Sequence, residues 1–326
     1  MSDIYIFGGS CSFFRLLTTA QILKAELHCH NIYSNYRNNS DRIPFDCGVS
    51  IQEQLESVLA QGINVLFVTN HNTLDGYSQI LECKQNHAKY QNISIYPAEE
   101  ITIDNKGHVL VYGIENEIRP GMTLDETLDE IGKQNGVSCA AHPFAVSNGI
   151  REYAKKCDII ESFNSNNIDI FSNLISEKFA KQNNLISIAG SDSHVKSTIG
   201  RSINTVKSEN NIDSLLENLI KGKFKIGKIN YTSRQEMREH AHYIISSSRQ
   251  SILNSINKTN PKFHSIVQWA IDSFISNPNS KLWHLMSSLA LYLSKRVSKK
   301  VNIYGYNPLI LEQRSWSNLI SLSLIP

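Results

Sequence analysis

Glu26-Leu27-His28-Cys29-His30-Asn31 is a short apolar run that ends in two histidines. A strand has a side-chain period of two, so both imidazoles point to one side and Cys29 to the other. Moving outward along the chain, the same design recurs. The apolar run 65–69 leads to His71, 93–97 to Glu99 and Glu100, 137–141 to His142, and 185–189 to Asp192 and His194. Further apolar runs occupy 109–114, 159–163 and 202–206, and helical patterns fall at 51–60, 124–134, 168–182 and 212–221. Short, nearly continuous apolar strands alternating with helices indicate parallel βα units. About seven such units predict a closed or nearly closed β/α barrel. In that fold the C-terminal strand ends converge on one face, and these histidines and acids converge with them.

Imidazole and carboxylate are ligands that suit Zn, Mn and Fe. Divalent ions compensate the charge of such a cluster, and one carboxylate can bridge two of them. Two ions polarise a phosphoryl oxygen and generate hydroxide near neutral pH, so the expected reaction is in-line hydrolysis of a phosphate ester. A lone His-x-His is more often a pair of ordinary strand residues. The conjunction of five clusters in order, each at a strand end, decides for metal.

The segments Glu-Leu-His-Cys-His-Asn (26–31), Val-Thr-Asn-His-Asn-Thr (68–73), Ala-Glu-Glu-Ile-Thr (98–102), Gly-His-Val-Leu (107–110), Ala-His-Pro (141–143) and Gly-Ser-Asp-Ser-His (190–194) resemble the motifs of the PHP family, the polymerase and histidinol phosphatase domains. The resemblance covers about residues 25–226. It implies an α/β fold, a distorted seven-stranded β/α barrel, with two or three divalent metal ions (Mn, Zn or Fe) and phosphoesterase activity. It implies that His28, His30, Glu100 and Asp192 hold one metal, that Glu100 shares a second with His108 and His142, and that His71 and His194 hold a third. Glu100 is preferred to Glu99 because it directly precedes Ile101-Thr102. Glu100, Asp192 and His194 are the expected catalytic groups.

The sequence departs from the family pattern twice. The family places an acid for the third metal in a Ser-Asp-Gly turn, and here the turn reads Ser34-Asn35. Asp41 or Asp46, in the long loop that follows, then substitutes, or the third site goes without its acid. Asn70 also replaces the family's Asp before His71; an amide orients neighbours through hydrogen bonds but brings no charge. Arg201 stands where related enzymes present a phosphate-binding arginine, and a guanidinium fork matches phosphate. Arg37 is a second candidate, in a polar loop (33–49) read as a lid.

The remaining features bound the function. With 326 residues, 32 Lys+Arg, 30 Asp+Glu and a net charge of +2, the chain carries no charge signature for or against nucleic acid. Six cysteines without a C-x-x-C pair exclude a zinc ribbon or thioredoxin-type motif and fit a reducing compartment. There is no signal-peptide pattern and no run of roughly 18 to 20 apolar residues, so a cytoplasmic protein without stable membrane insertion is expected.

The organisation reads as an N-terminal extension (1–24), the metal-binding domain (25–230) and a helical C-terminal region (231–326). The last opens with the capping box Ser233-x-x-Glu236. Its histidines, His240, His242, His264 and His284, have no ligand spacing and read as ordinary helix residues. The expected partner is a small phosphorylated metabolite, a nucleotide or a short oligonucleotide. Two rivals stand beside this reading. One is an amidohydrolase-like metal hydrolase acting on a carbonyl, which has no need of Arg201. The other is a non-catalytic metal-binding interaction module whose working surface is the helical region.

Overall fold

The computed structural model describes residues 20–35, 45–104 and 107–306. Most of the N-terminal extension, Arg37 and Asp41 lie outside the described residues. The strands are β1 (Gln21–Glu26), β2 (Val65–His71), β3 (Ser94–Thr102), β4 (His108–Tyr112), β5 (Val137–Ala140), β6 (Ile159–Asn164), β7 (Ile186–Gly190), β8 (Ile203–Ser208) and β9 (Lys225–Lys228). The helices are α1 (Ile51–Ala60), α2 (Tyr77–Gln85), α3 (Leu124–Lys133), α4 (Ile170–Gln182), α5 (Ile212–Ile220), α6 (Arg234–Thr259), α7 (His264–Ser276) and α8 (Lys281–Tyr304). Helix starts follow local chemistry: Ser50 with Glu53, Thr123 with Glu126 and Ser233 with Glu236 each form a capping box.

The strands make one sheet in the order β7-β6-β5-β4-β3-β2-β1-β8-β9. Among the described residues the sheet thus has nine strands against the expected seven, and it is mixed. β4 and β8 run antiparallel to both of their neighbours. For β4 the cause is the length of its connection. Residues 103–107 cannot hold the crossover of a dozen or more residues that a parallel return needs. The sheet curls into a nearly closed barrel. Asn204 on β8 stitches the gap to β7, its Oδ1 accepting from Ala189 N–H at 3.0 Å and its Nδ2 donating to the Ala189 carbonyl at 2.6 Å.

Three buried clusters hold the fold. The inner one joins Leu23, Val65, Val137 and Ile159, at the starts of their strands, to Leu215, Leu219 and Phe224 in and after α5. Helix α5 thus plugs the N-terminal mouth and leaves the opposite mouth for polar side chains. The two outer clusters seat α1 and α2, and then α3 and α4, against the sheet. The C-terminal helices make hydrogen bonds to the barrel residues. Ser298 Oγ donates to Asp169 Oδ1 at 2.5 Å, and Arg151 Nη1 donates to Asn302 Oδ1 at 2.6 Å. Among the described residues, no helix is long and apolar enough to cross a membrane.

Gly190 closes β7 where the backbone passes the polar mouth. A Cβ there would overlap Glu161 Oε1 and lie 2.7 Å from His28 Cβ. Both neighbours are fully or almost fully buried and cannot swing into solvent. Gly190→Ala is expected to cost about 1–3 kcal/mol or more, read as a lower urea midpoint at unchanged slope. An unchanged midpoint would contradict this packing.

Candidate metal centre

Each functional side chain is placed by a strand end. β2 ends in His71, β3 carries Glu99 and Glu100, β5 leads to His142, and β7 leads to Asp192 and His194. His28 and His30 lie just past β1, not in it, and are held in line by a bridge between Cys29 and Ser193. His108 begins β4. Because β4 runs antiparallel, His108 sits opposite Thr102 at the end of β3 and reaches the same mouth. His142 (φ 27°) and Asp192 (φ 50°) occupy the left-handed region. Such backbone costs of order 1–3 kcal/mol and persists where the surroundings over-determine it. Here His142 N–H donates to Glu161 Oε2 at 2.6 Å and Asp192 N–H to the His28 carbonyl at 2.8 Å.

The ligand atoms fall into three sets. In the first, His28 Nε2 is 3.4 Å from both Glu100 Oε2 and Asp192 Oδ1, and His30 Nε2 is 3.2 Å from both. In the second, Glu100 Oε1 meets His108 Nδ1 at 2.8 Å and His142 Nε2 at 2.9 Å. In the third, His71 Nε2 and His194 Nε2 lie 3.2 and 2.9 Å from Asp46 Oδ2. His71 also reaches the shared acid, its Nδ1 3.1 Å from Glu100 Oε2. Two donors bound to one ion at about 2.1 Å and roughly 90–109° apart lie about 3.0–3.4 Å from each other. The first set matches that spacing. Moreover, the Nε2 atoms of His28 and His30, Glu100 Oε2 and Asp46 Oδ2 are buried without a hydrogen-bond partner. Burying such atoms is costly unless something binds them. The residues present therefore fit divalent ions, with one Glu100 oxygen turned to each of two sets. Glu99 instead accepts from Ile118 N–H at 2.8 Å.

A supporting layer fixes the ring orientations. His28 Nδ1–H donates to Glu161 Oε1 at 2.9 Å, and Asn164 Nδ2 bridges Glu161 Oε2 and Asp192 Oδ2 at 2.9 and 3.1 Å. His30 Nδ1 pairs with Ser34 Oγ at 3.1 Å, which donates to Asn70 Oδ1 at 3.1 Å. His194 Nδ1 donates to the Asp192 carbonyl at 2.9 Å. In each case Nε2 is left facing inward, as metal-binding histidines require. Asn70 thus orients its neighbours without charge, as its amide chemistry allows. The sequence reading passed over Glu161, although an acid inside the apolar run 159–163 was a usable signal.

The charges follow the geometry. Burial raises the Glu100 carboxyl, but His108, His71 and His28 hold it well below the usual carboxylate range. Burial opposes the charge on His194, yet Asp46 and Asp192 push it up to about 10. Burial, helped by the charge of His194, lowers His240 to about 4.

His240 corrects the reading of the C-terminal histidines as ordinary. It lies on α6, its ring 4.9 Å from that of His194, and its Nε2 donates to the Asp46 carbonyl at 2.7 Å. Its distance along the chain hid this. Arg201 is engaged by Glu236 on α6. Glu236, His194, His240 and Met237 wall a cavity of about 190 Å³ beside the metal sets.

One family model agrees with the resemblance to the PHP family: described as PHP-associated, it matches residues 171–224. An uncharacterized protein of Methanocaldococcus jannaschii is 27% identical over 165 residues, 49% of this chain and 93% of its own length. Among solved structures, PsfC from Pseudomonas syringae is similar with a TM-score of 0.48 at 15% identity, covering 69% of this chain and 98% of that one. A lesion-specific endonuclease from Pyrococcus furiosus is similar with a TM-score of 0.45 at 15% identity, covering 63% of this chain and 58% of that one.

Two outcomes are expected. Glu161→Gln removes the charge behind His28 and should weaken metal affinity about 10-fold or more, measured by competition with a chelating dye. Because protonated imidazoles must lose protons to bind, metal uptake should release protons, and affinity should rise from about pH 6 toward pH 9. A pH-independent affinity would count against histidine ligation.

Proposed function

We propose that the chain is a metal-dependent phosphoesterase that hydrolyses the phosphate ester of a small metabolite, nucleotide or short oligonucleotide. One observation carries this reading: the buried Glu100 carboxylate presents its two oxygens to two separate histidine sets. When bound, two divalent ions would polarise a phosphoryl oxygen and supply hydroxide near neutral pH. His28, His30, Glu100 and Asp192 would hold one ion, and Glu100, His108 and His142 the other. Asp192 is fixed by Asn164 and Asn166 through Oδ2 and turns Oδ1 to the first set, so its place in the chemistry would be to hold and orient that ion. His194 stands between the sets and the adjoining cavity, which has room for the alcohol part of the ester. Arg201 offers the cation for the phosphate, with Glu236 holding its guanidinium.

Turnover of a generic aryl phosphate with Mn²⁺ or Zn²⁺ tests the reading. Activity should vanish with a chelator, return with metal, and fall to background in Glu100→Ala and His142→Ala. Hydrolysis of a carbonyl ester or amide with no turnover of the phosphate would assign the centre to carbonyl chemistry instead.

Arg201→Ala should raise KM for the aryl phosphate about 10-fold or more, since a charge-assisted contact is worth about 1.5–3 kcal/mol. A lower Tm with KM unchanged would limit Arg201 to pinning α6.

A further inference from the structure

We propose that Asp46 is the acid of a third metal position, formed with His71 and His194, and that helix α6 of the C-terminal region holds it in place. The inference rests on the metal-dependent reading above and assigns a task to a part of the chain that the family motifs do not reach.

The turn that should carry this acid has Asn35. Its amide ties down the returning end of the loop. Asn35 Oδ1 accepts from Asp46 N–H at 2.7 Å and Cys47 N–H at 2.9 Å. Its Nδ2 donates to the Cys47 carbonyl at 2.7 Å and to Tyr243 Oη, on α6, at 3.0 Å. An aspartate has no donor for the Cys47 carbonyl, so the amide suits this turn where a carboxylate does not. The replacement of the acid at 35 and the arrival of an acid at 46 are two parts of one arrangement.

Helix α6 supplies the other wall. His240 Nε2–H donates to the Asp46 carbonyl, and the His240 ring lies against His194. Gly48 N–H donates to the His194 carbonyl at 3.1 Å. A Cβ on Gly48 would sit 2.8 Å from the Tyr243 ring, so residues 46–48 lie flat between α6 and the barrel mouth. Held this way, Asp46 turns Oδ2 inward. That atom is buried, has no hydrogen-bond partner, and lies 3.2 Å from His71 Nε2 and 2.9 Å from His194 Nε2. Two imidazoles and one carboxylate are a sufficient protein ligand set for an ion that keeps open positions.

Metal content of the full chain, loaded with Mn²⁺ or Zn²⁺ and freed of excess ion, tests this. Wild type should hold three equivalents. Asp46→Asn, which keeps the shape of the side chain, should hold two, with circular dichroism unchanged. His240→Ala should still reach three equivalents, with the Kd of the weakest raised about 10-fold. Three equivalents in Asp46→Asn, only two in wild type, or loss of more than one in the variant would each overturn the assignment to Asp46. If Asp46→Asn fails to fold, the His240→Ala titration decides, and an unchanged Kd there overturns the role of α6. A wild type that binds no metal at all would instead overturn the metal-dependent reading itself.

Discussion

The structure depends on one buried carboxylate. Glu100 is almost wholly removed from water and faces His28, His30, His71, His108 and His142. A lone carboxylate in such a place would be neutralised or expelled. Glu100 stays ionised because the surrounding imidazoles favour its charge. The constraint is mutual, since the same imidazoles would repel one another without the carboxylate between them. Everything around the mouth serves that balance: Glu161 and Ser34 hold rings in place, and two residues keep strained backbones to aim their side chains.

Much of this was legible in the sequence because the clusters sit at strand ends and the side-chain period of a strand is two. The helices 51–60 and 212–221 were visible from their periodicity, and the clustered histidines and acids from their order along the chain. The strand count was not visible. β4 was seen as an apolar run, but its direction depends on the short segment before it, and β9 is a four-residue, exposed strand too short to show a pattern. His108 was the hardest candidate to read for the same reason. A histidine at a strand start belongs at the far end of a parallel barrel, and only the reversal of β4 brings it to the near one.

What hid the rest was distance. Glu161 lies in the middle of an apolar strand, where acids are usually paired for structure, and nothing local reveals that His28 is its partner. His240 is far in sequence from every residue of the centre and on a helix whose pattern is otherwise that of a packed, half-exposed element. Asn35 looked like a loss, because the sequence shows a missing charge and not the four hydrogen bonds that the amide makes. Side chains of this kind are read from pairing across elements, which a single chain does not display.

The reversal of β4 also bears on the order in which the centre assembles. Glu100 and His108 sit on adjacent strands joined by a short connection, so they meet as soon as that hairpin forms. The first set joins His28 to Asp192 and therefore needs the two ends of the barrel brought together. Local contacts form quickly, whereas contacts across long stretches of chain wait on the loss of loop entropy. By that ordering the shared acid meets its first histidine before the contacts that close the barrel.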